Sequence, residues 1–206
     1  LAAQNNRHAF SPLPVLSGLR EIADRYDVFL LDIWGVLWDG KEIYDGVHEC
    51  LEQMHKAGKT VAFLSNSPSR AEFIESFFTS KGIRREWFKA AITSGEVTHQ
   101  LLKENAFPGL GRKFYNPWKD DVSPRNEHIH SPLLPSDLDL EPVDDVHQAD
   151  FLFGGLVFGD YTLPEFEDVL GVALSRNLPF LCVNPDRVVT IGTETRMMAG
   201  RVAEHY

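Results

Sequence analysis

An aspartate and a serine, each set at the end of a short apolar run, are the residues of this 206-residue chain best placed to do chemistry. Asp32 follows Val28-Phe29-Leu30-Leu31, and Ser65 follows Val61-Ala62-Phe63-Leu64, 33 residues further on. A carboxylate at the mouth of one buried strand and a hydroxyl at the mouth of the next would make a phosphate-handling pocket. Taken singly, each has an ordinary explanation, since Asp starts turns and caps helices and Ser starts helices.

For the two to share a pocket, the intervening chain must return the second strand beside the first. Val47, Cys50, Leu51 and Met54 recur at helical spacing and Gly58 supplies a stop, which predicts a crossover helix of about three turns. After the second strand, Ser67-Pro68 reads as an N-cap and first helical position, opening a helix that buries Ala71, Ile74, Phe77 and Phe78 and closes near Gly82. Strand, helix, strand, helix implies parallel pairing with a right-handed crossover. Both strand ends then emerge on one edge, where ligands lie in open sheets of this kind. Ala90 to Gly95 repeats the strand-then-Ser/Gly pattern, and Val97, Leu101 and Leu102 begin a further helix.

From about Phe107 to Pro142 prolines cluster and neither periodicity is sustained, so this stretch reads as a long insertion, partly loop. Order returns with Ala149 to Gly155, a helix using Phe166, Val169, Leu170 and Ala173, and a strand Phe180 to Val183. The expected fold class is α/β: a parallel-sheet core and a second, smaller α/β module.

Composition narrows the function classes. Hydrophobic residues at 43% and charged residues at 24% describe a globular chain. A net charge of −10 without a Lys/Arg stripe disfavours a nucleic-acid partner, and an anionic small ligand would need a cation or helix N-termini at its site. No apolar stretch approaches the roughly 20 residues that span a bilayer, and the chain start lacks signal-peptide order, which reads as no membrane partner and a cytoplasmic location. Cys50 and Cys182 sit in apolar patterns and read as buried thiols.

The full string Leu30-Leu31-Asp32-Ile33-Trp34-Gly35-Val36-Leu37-Trp38-Asp39-Gly40, then Phe63-Leu64-Ser65-Asn66-Ser67, then an α/β insertion reaching Asn184-Pro185-Asp186, resembles the haloacid dehalogenase superfamily. The similarity is to its NagD-like phosphatases, which have a Rossmann-like core and a large inserted α/β cap. The resemblance implies a core at 1–94, a cap at 95–190 and re-entry into the core at 191–206. It implies that Asp32 is the nucleophile, forming an aspartyl-phosphate that water hydrolyses. Mg²⁺ would be held by Asp32 and the backbone carbonyl of Trp34, and the phosphoryl group by Ser65 and the Asn66 amide. Asn184 and Asp186 would reach substrate from the cap, with the alternative of a simple Asn-Pro turn. Gly35 and Gly40 fit a flap that follows the nucleophile. The implied partner is a small phosphorylated substrate, and caps of this branch often form homodimers.

Two departures stand out. The family's phosphatases place a second Asp where this chain has Trp34, as acid and then base, and indole can do neither. Asp39 is the candidate replacement. The family also supplies a Lys and an acidic pair after the cap, whereas the last lysine here is Lys119 and the charged residues after Asp186 are Arg187, Glu194, Arg196, Arg201 and Glu204. Gly159-Asp160 lies inside the cap and is rejected as that acidic motif. The expectation is therefore a native protein with roughly 80 further residues. A catalytically silent phosphometabolite-binding protein is the alternative. A nucleotide-binding module is disfavoured, because neither Gly-x-Gly-x-x-Gly nor a Gly-Lys-Ser/Thr loop is present.

Overall fold

The computed structural model describes residues 14–118, 138–155 and 161–206. Lys119 and the Gly159-Asp160 pair lie outside the described residues. The first unit is a three-stranded sheet in the order β1 (Val28–Leu31), β2 (Thr60–Ser65), β3 (Ala91–Thr93), all parallel. Its crossovers are helices α1 (Val47–Lys56) and α2 (Ala71–Ser80). Phe29 pairs with Val61 and Phe63 with Ala91, so one face of the sheet presents a continuous buried row. Leu51 and Met54 of α1 and Ile74 and Phe78 of α2 pack onto that row. Burying these side chains at roughly 1.5–3 kcal/mol each is what holds the strand ends in place.

The opposite face carries Val28, Leu30, Leu64 and Ile92, which are 44–59% exposed. Parallel sheets are usually covered on both faces. Among the described residues only one face is covered.

Helix α3 (Ser94–Lys103) follows β3 directly, and a second sheet then runs β5-β4-β6-β7, again parallel. Its strands are β4 (Lys113–Tyr115), β5 (Glu141–Pro142), β6 (Phe151–Gly154) and β7 (Phe180–Cys182), with α4 (Glu167–Ser175) between the last two. Trp118, Leu152, Phe166, Leu170 and Ala173 form its main core. An antiparallel hairpin, β8 (Val188–Ile191) and β9 (Glu194–Met197), precedes the last helix α5 (Ala199–His205). The structure is the α/β architecture expected.

Three local expectations change. The stretch 107–142 contributes β4 and β5, which a three-residue strand and a two-residue strand could not announce by periodicity. The start of β4 is fixed by Asp150, whose carboxylate accepts the N–H groups of Arg112 and Lys113 at 2.9 and 2.8 Å. Helix α2 opens at Ala71 rather than at Pro68. The segment 191–206, expected to re-enter the first unit, is divided: Ile191 and Gly192 lie near Gly40 and Lys41 of that unit, while its helix packs on the second sheet. Ala199 and Val202 join its core, and the Tyr206 hydroxyl donates to the Leu178 carbonyl at 2.7 Å.

Candidate active site

Asp32 is the first residue after β1, and its side chain is open to solvent. The parallel register, with Leu31 opposite Phe63, sets Asp32 and Ser65 at the carboxyl ends of adjacent strands, on one edge. The Ile33 N–H donates to Asp32 Oδ1 at 2.7 Å, which orients the carboxylate. Behind it the chain turns sharply. The Ile33 carbonyl accepts from the N–H groups of Val36, Leu37 and Trp38, and Gly35 takes φ +78°, a left-handed conformation that glycine adopts without strain.

Ser65 is half-buried. Its Oγ accepts from the Ser67 N–H at 3.1 Å, and Ser67 Oγ accepts from the Ser69 N–H at 3.2 Å, so the 65–69 loop is coiled by its own hydroxyls. A brace from β3 and α3 then holds this loop. Thr93 Oγ1 donates to the Ser69 carbonyl at 2.6 Å and accepts from the Glu96 N–H at 3.0 Å. Glu96 accepts from Arg70 through two bonds of 2.7 and 3.0 Å, and from the Ala71 N–H at 3.0 Å. Helix α2 thus receives its N-terminal cap from another helix. The loop lies so close to α3 that a Cβ on Gly95 would sit 1.9 Å from the Pro68 carbonyl oxygen.

Sequence reasoning missed this brace, although Thr93-Ser94-Gly95-Glu96 carries the spacing of a capping box. The Arg70 hydrogen bonds hold the Glu96 carboxyl below its ordinary value of 4.5, more than burial raises it. A carboxyl whose folded value is depressed adds stability above its unfolded value and loses it as pH falls through the folded one. Glu96→Gln should therefore flatten the loss of stability below pH 4.5, measured by urea unfolding at successive pH steps. At neutral pH the variant should lose ~1 kcal/mol or less, because the Glu96 side chain is 36% exposed and the pair is screened.

The remaining candidates have clear places. Asn184 is buried, and its Oδ1 accepts from the Asp186 N–H at 3.0 Å, so its side chain holds the turn. Asp186 is half-buried, and its carbonyl accepts from Gly200 N–H at 3.0 Å. A Cβ on Gly200 would sit 2.0 Å from the Pro185 oxygen, the same seating of a loop on a helix start as at Gly95. The described contact with the Asp32 loop comes from the hairpin after this turn: Trp34 Nε1 donates to the Thr190 carbonyl at 3.1 Å.

Asp39 Oδ1 accepts from the N–H groups of Lys41 and Glu42, both at 2.7 Å, and these bonds hold the carboxyl below its usual range, which disfavours it as a proton donor at neutral pH.

The carboxylate of Asp32 and the backbone carbonyl of Trp34 are hard oxygen donors of the kind that suits a divalent ion keeping several waters. Among the described residues no three His, Cys, Asp or Glu side chains gather as a metal centre. The donor set fits Mg²⁺ as a partial shell. No helix is long and apolar enough to cross a membrane among the described residues.

A family model described as haloacid dehalogenase-like hydrolase matches residues 29–121, which hold Asp32, Ser65 and the Thr93-Glu96 brace. Phosphoglycolate phosphatase 2 of Arabidopsis thaliana is 33% identical over 94 residues, 45% of this chain and 31% of that protein. The 4-nitrophenylphosphatase of Schizosaccharomyces pombe is 31% identical over 88 residues, 41% of this chain and 30% of that protein. The matches thus span about a third of these relatives' lengths. Among solved structures, a haloacid dehalogenase-like hydrolase from Brucella suis 1330 aligns with TM-score 0.74 and 28% identity, over 93% of this chain and 66% of that one. With an aspartate and a serine on adjacent parallel strand ends inside the matched segment, residues 29–121 of this chain are similar to the haloacid dehalogenase-like hydrolases.

Proposed function

We propose that this chain carries the nucleophile and phosphate loop of a Mg²⁺-dependent phosphohydrolase acting on a small phosphorylated metabolite. The observation that carries the reading is the solvent-open Asp32 carboxylate beside Ser65 on one sheet edge. An Asp32 oxygen attacks phosphorus while the bond from phosphorus to the leaving oxygen breaks. Ser65 Oγ and the Asn66 N–H hold the transferring oxygens. The leaving oxygen takes its proton from solvent, because Trp34 has none to give and Asp39 is disfavoured as a donor. Water then attacks the phosphorus of the aspartyl-phosphate, freeing inorganic phosphate and restoring the carboxylate. Asp32 and the Trp34 carbonyl would hold Mg²⁺, which would supply charge neutralisation for the attack. Asp186 is the cap carboxylate set to meet the rest of the substrate, with Asn184 fixing its turn.

A missing acid typically costs about 10²–10⁴-fold and matters least when the leaving group is already stable as an anion. Aryl phosphates, acyl phosphates and anhydrides are therefore the favoured substrates over alkyl monoesters. A second reading, a phosphometabolite-binding protein without turnover, is favoured by one observation: the indole at position 34 is engaged with the Thr190 carbonyl. Full-length protein with Mg²⁺ should hydrolyse an aryl phosphate and lose that activity in chelator. Tight binding of phosphate esters with no turnover in either condition supports the second reading.

A further inference from the structure

We propose that Trp34 is a positioning residue: it latches the β8–β9 hairpin over the Asp32 edge, so that the loop bearing the nucleophile sets whether the second unit is closed. Four observations meet at this point. The Trp34 indole N–H spans 156 residues of sequence to reach the Thr190 carbonyl in β8. Its ring also packs against the core cluster of the first unit, so one side chain touches both units. Gly40, at φ +96°, makes room for the ring: a Cβ there would lie 2.8 Å from Trp34 Cζ2 and 3.2 Å from Ile191 Cγ2. The ring, the flap glycine and the hairpin therefore converge on one spot. The hairpin tip rests on the same flap, because a Cβ on Gly192 would lie 3.1 Å from Lys41 Nζ.

The latch accounts for an indole two residues from the nucleophile. Aspartate there would donate a proton but offers no ring to bridge the gap. Tryptophan gives a donor on a rigid apolar body, which is enriched where a contact must be both packed and hydrogen-bonded. The effect of the latch on turnover rests on the phosphohydrolase reading. The latch itself does not.

The test is a pair of spin labels in full-length protein with Cys50 and Cys182 replaced by alanine, at exposed Lys56→Cys in α1 and exposed Leu174→Cys in α4. Their distance distribution is measured with Trp34, Trp34→Phe and Trp34→Ala. Trp34→Phe keeps a ring for folding and deletes the N–H. The expected result is one narrow distribution with Trp34, a longer component with Trp34→Phe, and a larger one with Trp34→Ala. Losing one neutral hydrogen bond should raise the open population about 2- to 10-fold. Superimposable distributions in all three overturn the latch.

In parallel, Trp34→Phe should raise KM for an aryl phosphate about 2- to 10-fold, by a larger factor than it lowers kcat. A broadened distribution with unchanged KM overturns its role in positioning the cap for substrate. A broadened distribution in protein that never turns over substrate leaves the latch standing and overturns the phosphohydrolase reading alone.

Discussion

Asp32→Asn should abolish hydrolysis of aryl phosphates in the full-length protein, by on the order of 10⁴-fold or more. Asparagine keeps the size of the side chain and its Oδ1, so the 2.7 Å bond from the Ile33 N–H survives and the turn behind it stays folded. The nucleophile is what is lost. An amide carries no charge at neutral pH and is a poor ligand for a hard cation, so both covalent attack and charge neutralisation fail together. Thermal unfolding of the variant should stay close to that of the parent, since Asp32 is exposed and no ion pair depends on it among the described residues. Steady-state rates paired with melting curves check this. A variant that keeps even a tenth of the parent rate would mean another residue attacks phosphorus.

The second large effect is a gain. Trp34→Asp places a carboxyl two residues past the nucleophile, where a proton can be delivered to the leaving oxygen. Turnover of alkyl phosphates should rise by about 10²-fold, while aryl phosphates, whose leaving group departs as an anion, should gain little. The same change removes the indole donor to Thr190, so KM should rise for both substrate classes. The decisive quantity is the ratio of alkyl to aryl kcat, which is insensitive to how well the cap closes. An unchanged ratio would show that proton delivery at position 34 is not what limits this chain.

The first unit was largely legible because its signals are local. The helical spacing of Val47, Leu51 and Met54 gives α1, and two apolar runs ending in Asp32 and Ser65 give β1 and β2. Parallel pairing follows from the crossover between them, and with it the shared edge. What escaped sequence reasoning is of two kinds. Short elements leave no period to detect: β4 is three residues long, and the hairpin before α5 straddles the boundary expected between 190 and 191. In hindsight Val188-Val189-Thr190-Ile191 followed by Gly192-Thr193 is a β-branched run with a two-residue turn.

Contacts between distant segments are the other kind. Glu96 has the spacing of the last member of a capping box within α3, yet its carboxylate serves Arg70 and the start of α2. Trp34 read as a missing acid, and its partner in β8 is 156 residues away. Asp39 shows the converse, a plausible donor disfavoured by the geometry of its own turn. Two backbone N–H groups aimed at one carboxylate oxygen lower its pKa, and nothing in Trp38-Asp39-Gly40 announces them.

The central claim is that the Asp32 carboxylate takes up a phosphoryl group. Full-length protein mixed with an aryl phosphate and Mg²⁺, quenched in acid during turnover and mapped by peptide mass spectrometry, tests it directly. The expected result is a phosphoryl adduct on the peptide containing Asp32 that survives acid and is discharged by hydroxylamine, as an acyl phosphate must be. Active protein with an unmodified Asp32 peptide throughout turnover, or with the adduct on another residue, would contradict it.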